Sequence, residues 1–260
     1  MGFIERLFDL SGKSALVTGG SRGLGLQIAR ALGGAGARVM ISARKVDELR
    51  NAQAQLKEYG IDVEYAVADT ARDDQIASLA DEALGRLGRI DILVNNAGAT
   101  WGAKAEDHPV EAWDKVFNLN IRGLFLLTQR IGKRSMIPNG SGRVINVASI
   151  AGLRGNPPGA MNTIAYNSSK GAVVNFTRAL AGEWGQYGIT VNAIAPGFFP
   201  SKMTHGLLEQ MGAETVAAQA PLRRLGTDTD LHGAALLFAS EAGRHITGQI
   251  LAVDGGVSAV

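Results

Sequence analysis

The chain has 260 residues, 46% of them apolar and 19% charged, the proportions of a globular protein with enough length for one sizeable core rather than of a disordered chain. A formal net charge of +2 with no concentrated run of Lys or Arg gives no footprint for nucleic acid. The lack of cysteine removes disulfides, thiolate nucleophiles and Cys-ligated metals together; with no signal-like or membrane-length apolar segment, the expectation is a soluble cytoplasmic protein with no membrane partner.

In chain order, short β-branched runs alternate with longer segments of helical period. Residues Ser14 to Thr18, Arg38 to Ser42, Val63 to Val67, Ile92 to Val94, Arg143 to Val147, Thr190 to Ile194 and Ile250 to Val253 read as strands. Near-continuous apolar strands separated by helices predict one α/β domain over 1–260, doubly wound, with a seven-stranded, mainly parallel sheet and helices on both faces. Right-handed crossovers bring the C-terminal strand ends to one edge, where ligands bind. Residues 197–222 lack a clean period and read as a substrate lid.

The first strand runs into Thr18-Gly19-Gly20-Ser21-Arg22-Gly23-Leu24-Gly25 and then a helical pattern. Such a turn lets the backbone approach a pyrophosphate, while the free N–H groups at the helix start attract the anion. The next strand ends in Ile41-Ser42-Ala43-Arg44-Lys45. An NAD site usually places a carboxylate there; Arg44 instead suits the 2′-phosphate of NADP, and Arg22 can reach the same group from the glycine turn. Asp47 and Glu48 read as first-turn residues that complement a helix dipole. Asp69 and Thr70, after the third strand, are candidates for the adenine edge or for a helix cap. Asn96, Ala97 and Gly98, after the fourth, permit close approach to a ribose, with the Asn amides tying neighbouring strands, or form a turn.

Tyr166-Asn167-Ser168-Ser169-Lys170 opens a long helical pattern in which the i, i+4 spacing puts phenol and ammonium on one face. A nearby cation stabilises a phenolate, so Tyr166 can exchange a proton with a substrate alcohol or ketone. Ser149, just past the fifth strand, is placed to polarise the substrate oxygen, with a strand-end cap as its plainer reading. Asn120 falls inside a helical pattern, where an amide is a mediocre choice, and is a candidate for holding a water linked to Lys170; Asn118 competes for that role.

In order and spacing these motifs, with Pro196-Gly197 and the terminal Val253-Asp254-Gly255-Gly256, resemble the short-chain dehydrogenase/reductase family over essentially the whole chain. The resemblance implies a Rossmann-type fold, a nicotinamide cofactor, here NADP(H), and an Asn120-Ser149-Tyr166-Lys170 tetrad without metal, and it selects Asn120 over Asn118. It further implies that Lys170 binds the nicotinamide ribose, that Phe199 and Ser201 face the nicotinamide carboxamide, and that the chain forms a homo-oligomer, a tetramer in the family's usual manner.

Within the family, Pro196 to Thr204 and Ala99 to Gly102 look most like bacterial β-ketoacyl reductases. The expected substrate is a small ketone or alcohol, including a 3-oxoacyl thioester, contacted by Ser149, Tyr166 and Trp101, by the stretch Leu153 to Thr163, and by the lid around Phe198 to Met211. One departure stands out: many acyl-carrier-protein reductases of the family have arginine before Gly188, and this chain has Tyr187, which leaves Lys133, Arg134 or Arg154 to dock an acidic carrier. A sugar or polyol dehydrogenase of the gluconate type is the competing enzyme. An NADP-sensing scaffold protein is the non-enzymatic alternative, and its expected mark is a broken tetrad. An enoyl reductase is disfavoured because that branch spaces its Tyr and Lys further apart.

Overall fold

A computed structural model describes residues 2–156 and 161–260. Its seven strands are β1 (Ser14–Thr18), β2 (Arg38–Ala43), β3 (Val63–Val67), β4 (Ile92–Asn95), β5 (Gly142–Val147), β6 (Ile189–Pro196) and β7 (Ile250–Val253), in the sheet order β3-β2-β1-β4-β5-β6-β7. Every pairing between neighbours is parallel, where the sequence reading allowed an exception. The reason lies in the connections: each pair of consecutive strands is joined by a crossover long enough to return the chain to the starting edge. The chain builds outward from β1 to β3, returns to place β4 beside β1, and then builds the other way. That reversal makes the crevice between the ends of β1 and β4 the place where a doubly wound sheet binds ligands.

The helices are α1 (Phe3–Phe8), α2 (Gly23–Gly34), α3 (Val46–Glu58), α4 (Asp73–Leu87), α5 (Val110–Phe117), α6 (Leu124–Ile131), α7 (Ile164–Trp184), α8 (His205–Met211), α9 (Ala213–Ala218) and α10 (His232–Ala239). Alternate strand residues feed two cores. Val17, Ile41, Ile92 and Val94 pack with α2, α3 and α10 on one face, whereas Leu16, Met40 and Leu93 pack with α4, α6 and α7 on the other. In α4, Ile76, Leu79, Ala80, Ala83 and Leu87 form the buried stripe that fixes which way this helix faces. Each large aliphatic side chain so buried contributes about 1.5–3 kcal/mol.

Two local departures from the sequence reading matter for the site. Asn120 lies in a π-helical segment, Asn118–Gly123, between α5 and α6 rather than in a regular α-helix. Residues 197–222, which show no period, contain the short helices α8 and α9; six or seven residues make too few turns for a periodic stripe to emerge. Pro157, Pro158 and Gly159 of the turn-rich stretch before α7 lie outside the described residues. Among the described residues no helix is long and apolar enough to cross a membrane, and no cluster of His, Cys, Asp or Glu could hold a metal ion.

Candidate active site

A cleft of about 700 Å³ runs along the C-terminal edge of the sheet, from the β1 turn past the ends of β4 and β5 to the segment after β6. At one end the chain leaves β1 through Gly19, whose φ of +63° is a left-handed conformation open to glycine, and enters α2 at Gly23, with φ of +54°. Gly25 has a different task. A side chain there would overlap the Gly19 carbonyl oxygen, so its absence lets the first turn of α2 close onto the loop. Thr18 Oγ1 accepts from the Asn96 and Ala97 amides at 3.0 and 3.1 Å, and Asn96 Nδ2 donates to the Thr18 and Gly19 carbonyls at 2.9 and 3.1 Å. The Asn amide thus ties the two strands of the crevice, as read from the sequence. The result is a cradle floored by backbone and free of side chains, with Ser21, Arg22, Gly23 and Leu24 on its rim, and it fits a dinucleotide pyrophosphate.

Arg44 and Lys45 line the same cleft beyond the end of β2. Glu48 stands in the first turn of α3 with Asp47, as its sequence position suggests, and makes further contacts. It receives Arg22 Nη1 at 3.0 Å and Lys45 Nζ at 3.3 Å, and Ser21 Oγ donates to it at 3.4 Å. Burial alone would raise its carboxyl, but Arg22, Lys45 and Lys202 together hold it below the usual range. Asp69 and Thr70 line the cleft, and Asp69 accepts from the Ala71 amide at 3.0 Å in a local turn rather than as a helix cap, since the N-cap position of α4 is Arg72.

At the other end, Ser149 follows β5 and Tyr166 and Lys170 project from α7. Ser149 Oγ caps the short turn Ile150–Gly152 by accepting from Ala151 at 3.1 Å, while its hydroxyl faces Tyr166. Tyr166 is half-buried by area, yet the protein around its hydroxyl pushes the phenol above its ordinary pKa, and Ser149 pulls it back only in part. Lys170 is 4% exposed, and burial lowers its ammonium to about 8. Its Nζ donates to the Val147 carbonyl at 2.6 Å and sits 5.7 Å from the centre of the Tyr166 ring. Burial thus moves the Tyr166 phenol in the direction opposite to the lowering expected from Lys170, and Ser149 is the group that opposes it.

Asn120 is 1% exposed and holds the Ala99 backbone with both ends of its amide, Oδ1 accepting from Ala99 N at 2.8 Å and Nδ2 donating to Ala99 O at 2.9 Å. Nδ2 also donates to Ser169 Oγ at 2.9 Å, on the turn of α7 between Tyr166 and Lys170. Asn118 instead donates to the Ala71 carbonyl at 2.7 Å, so the geometry separates two asparagines that the residues themselves left open. Among the described contacts Asn120 does not touch Lys170 directly.

Pro196, Gly197, Phe199 and Ser201 line the cleft after β6; a side chain on Gly197 would press on Asp254 Cα at 2.7 Å, which explains why the terminal Asp254-Gly255-Gly256 turn lies beneath this segment. Phe199 belongs mainly to the core, and a side chain on Gly226 would collide with its ring. The substrate-side residues differ more. Trp101 and Leu153 are 45% and 40% exposed, and neither they nor Phe198 forms part of the cleft wall. Phe198 packs instead against Ile150, Ala220 and Val257. Of the candidate docking cations, Arg134 is paired with Asp81. Sequence reasoning missed Gly152: a side chain there would meet the Lys170 carbonyl carbon at 2.5 Å, so its absence seats the Ser149 loop on α7. A glycine three residues after the serine was the available signal.

Fold and side-chain cluster together define an oxidoreductase of the short-chain dehydrogenase/reductase type, and the chain belongs to that family: the family model described as enoyl-(acyl carrier protein) reductase matches residues 19–258. The sequence is 41% identical over 254 residues to the rhamnolipids biosynthesis 3-oxoacyl-(acyl-carrier-protein) reductase of Pseudomonas aeruginosa, covering 96% of this chain and 97% of that one. It is 40% identical over 257 residues to 2-dehydro-3-deoxy-D-gluconate 5-dehydrogenase of Bacillus subtilis, covering 98% of each. Among solved structures, a gluconate 5-dehydrogenase from Burkholderia cenocepacia in complex with NADP and tartrate matches at a TM-score of 0.92 and 33% identity, over 99% of each chain.

Proposed function

We propose that the protein reduces a ketone to a secondary alcohol with NADPH, and runs the reverse reaction, with Tyr166 as the proton donor and acceptor. One observation carries this reading: Ser149, Tyr166 and Lys170 converge at the end of β5 in the same cleft that the glycine turn opens at the end of β1. The residues fit the dinucleotide in order along the cleft. Gly19, Ser21, Gly23 and Leu24 would hold the pyrophosphate, with Gly25 closing the turn behind them, Arg22 and Arg44 the 2′-phosphate, Asp69 and Thr70 the adenine, and Asn96, Ala97 and Gly98 the adenosine ribose. Lys170 would hold the nicotinamide ribose, and Pro196, Gly197, Phe199 and Ser201 the nicotinamide. Bound there, the cofactor supplies the hydride.

The chain's own residues supply the rest. Ser149 donates to the substrate oxygen and so stabilises the charge that develops on it. Tyr166, kept protonated at neutral pH by its buried setting, gives that oxygen a proton. Lys170 sits one helical turn away with a pKa of about 8, poised to accept or release a proton near working pH. Asn120 fixes Ala99 and the α7 turn that carries both groups.

For the substrate, the exposed apolar side chains Leu153 and Met161, on the segment before Tyr166, Met203, in the cleft lining, and Trp101, near the bridge between Ala103 and Thr163, favour a 3-oxoacyl thioester or a similarly apolar ketone. The Pseudomonas relative, a 3-oxoacyl-(acyl-carrier-protein) reductase, agrees. A sugar-acid or polyol dehydrogenase is the second reading, supported by likeness to the gluconate-type enzymes. The four-residue step from Tyr166 to Lys170 argues against the enoyl reduction named by the family model. We read residues 197–222 as a lid and the assembly as a homotetramer in the reducing cytoplasm, as family resemblance and the exposed Phe125 on α6, edge-on to Phe176 of α7, support.

Tyr166→Phe is expected to lower turnover about 10²- to 10⁴-fold with NADPH binding, followed by fluorescence, unchanged. Undiminished turnover would overturn the assignment. NADPH oxidation across 3-oxoacyl thioesters, simple ketones and keto-sugar acids decides between the two substrates, and no turnover on any of them favours the scaffold.

A further inference from the structure

Glu48 draws together donors from two separate pieces of the fold. Ser21 and Arg22 come from the turn after β1, Lys45 from the end of the β2 segment, and Glu48 itself from the first turn of α3. Both cations reach the same oxygen, Oε1, while Ser21 Oγ lies within reach of Oε2. Lys202, from the segment after β6, adds to the positive field. A hydroxyl, a guanidinium and an ammonium around one anion are the donors that a phosphate monoester takes. Arg44 lines the same cleft, and among the described residues it has no ion pair.

We infer that Glu48 is an internal stand-in for the nucleotide 2′-phosphate: it closes the Ser21–Arg22–Lys45 donor set in the free protein and must release it when the phosphate binds. The inference rests on the NADP reading and adds a specificity-determining residue to it. A phosphate dianion entering beside an ionised Glu48 meets a like charge as well as donors already engaged, so the protein sacrifices affinity for the phosphorylated nucleotide. An unphosphorylated ribose meets neither obstacle. Glu48 therefore narrows the discrimination between the two, whereas Arg22 and Arg44 widen it.

The test is calorimetric titration of the whole protein with 2′,5′-ADP and with 5′-ADP, for the natural chain, Glu48→Gln and Glu48→Ala. Both variants are expected to bind 2′,5′-ADP roughly tenfold more tightly, to leave 5′-ADP binding within about twofold, and to show a steeper loss of 2′,5′-ADP affinity with added salt, since the freed cations are no longer neutralised internally. Thermal unfolding of each variant is measured alongside, and an unfolding midpoint unchanged from the natural chain certifies the comparison. If both variants bind 2′,5′-ADP no more tightly than the natural chain, Glu48 organises Arg22 rather than competing with the phosphate, and the inference fails. If neither the natural chain nor either variant binds 2′,5′-ADP better than 5′-ADP, the NADP reading itself fails, and the inference with it.

Discussion

Lys170 carries an ammonium into the interior of the fold, where it has one carbonyl partner and no carboxylate among the described contacts. Its folded pKa of about 8 lies below the ordinary lysine value of 10.5, so the unfolded chain holds this proton more tightly than the native one. The residue therefore opposes folding below pH 8, by on the order of 3 kcal/mol, and the opposition fades as pH rises from about 8 to about 10.5. Lys170→Met is expected to raise the unfolding free energy of the free protein at pH 7 by about 1–3 kcal/mol, with the gain shrinking across that window. Urea unfolding from pH 7 to 10.5 checks this, and a variant that is less stable at pH 7 would contradict it. Nothing else in the site opposes folding so clearly, which marks Lys170 as a residue kept for chemistry. Its spacing from Tyr166 was legible in the sequence. The sign of the Tyr166 shift was not, because it depends on how much protein surrounds the hydroxyl.

At the scale of the elements, the π-helical segment Asn118–Gly123 does what a regular helix could not. The wider turn places the Asn120 amide flat against Ala99, one residue past the Asn96-Ala97-Gly98 stretch. Gly123 permits the close approach of this segment to the loop after β3, since a side chain there would overlap the Thr70 carbonyl oxygen. Gly123→Ala is expected to cost about 1–3 kcal/mol of stability and to lower turnover more than it lowers nucleotide binding, because the displaced segment carries Asn120 with it. Chemical denaturation and steady-state kinetics together read both effects. The sequence marked Asn120 as out of place in a helix. It did not show the reason, since a π-turn leaves the hydrophobic period of its flanks intact.

Across the whole molecule, a buried polar chain ties the sheet to the helices behind it. Asn95 on β4 donates to Thr128 on α6 and to Asn146 on β5, each at 2.9 Å, and Asn146 donates to Thr177 on α7 at 2.9 Å. These bonds fix the ends of β4 and β5 relative to α7, and with them the distance from Ser149 to Tyr166. Asn146→Ala is expected to cost about 1–3 kcal/mol, more than a solvent-facing amide would, because it removes two buried hydrogen bonds at once, although Asn95 and Thr177 each keep another partner. A thermal midpoint within about 1 °C of the natural chain, below the shift of a single kcal/mol, would refute the role.

The seven strand segments and the ends of the cleft were set by local pattern: short β-branched runs, glycine where backbone must approach backbone, and a Tyr–Lys pair one helical turn apart. These are properties of neighbouring residues, so the sequence alone determined them. The contacts that set Asn120 apart from Asn118, a choice the family resemblance had already made, the burial of Phe198 against Ile150 and Val257, the seating of Gly152 on Lys170 and the capture of Glu48 by Arg22 and Lys45 came only from tertiary structure. Each depends on atoms brought together from distant parts of the chain, where contact follows from packing and not from spacing.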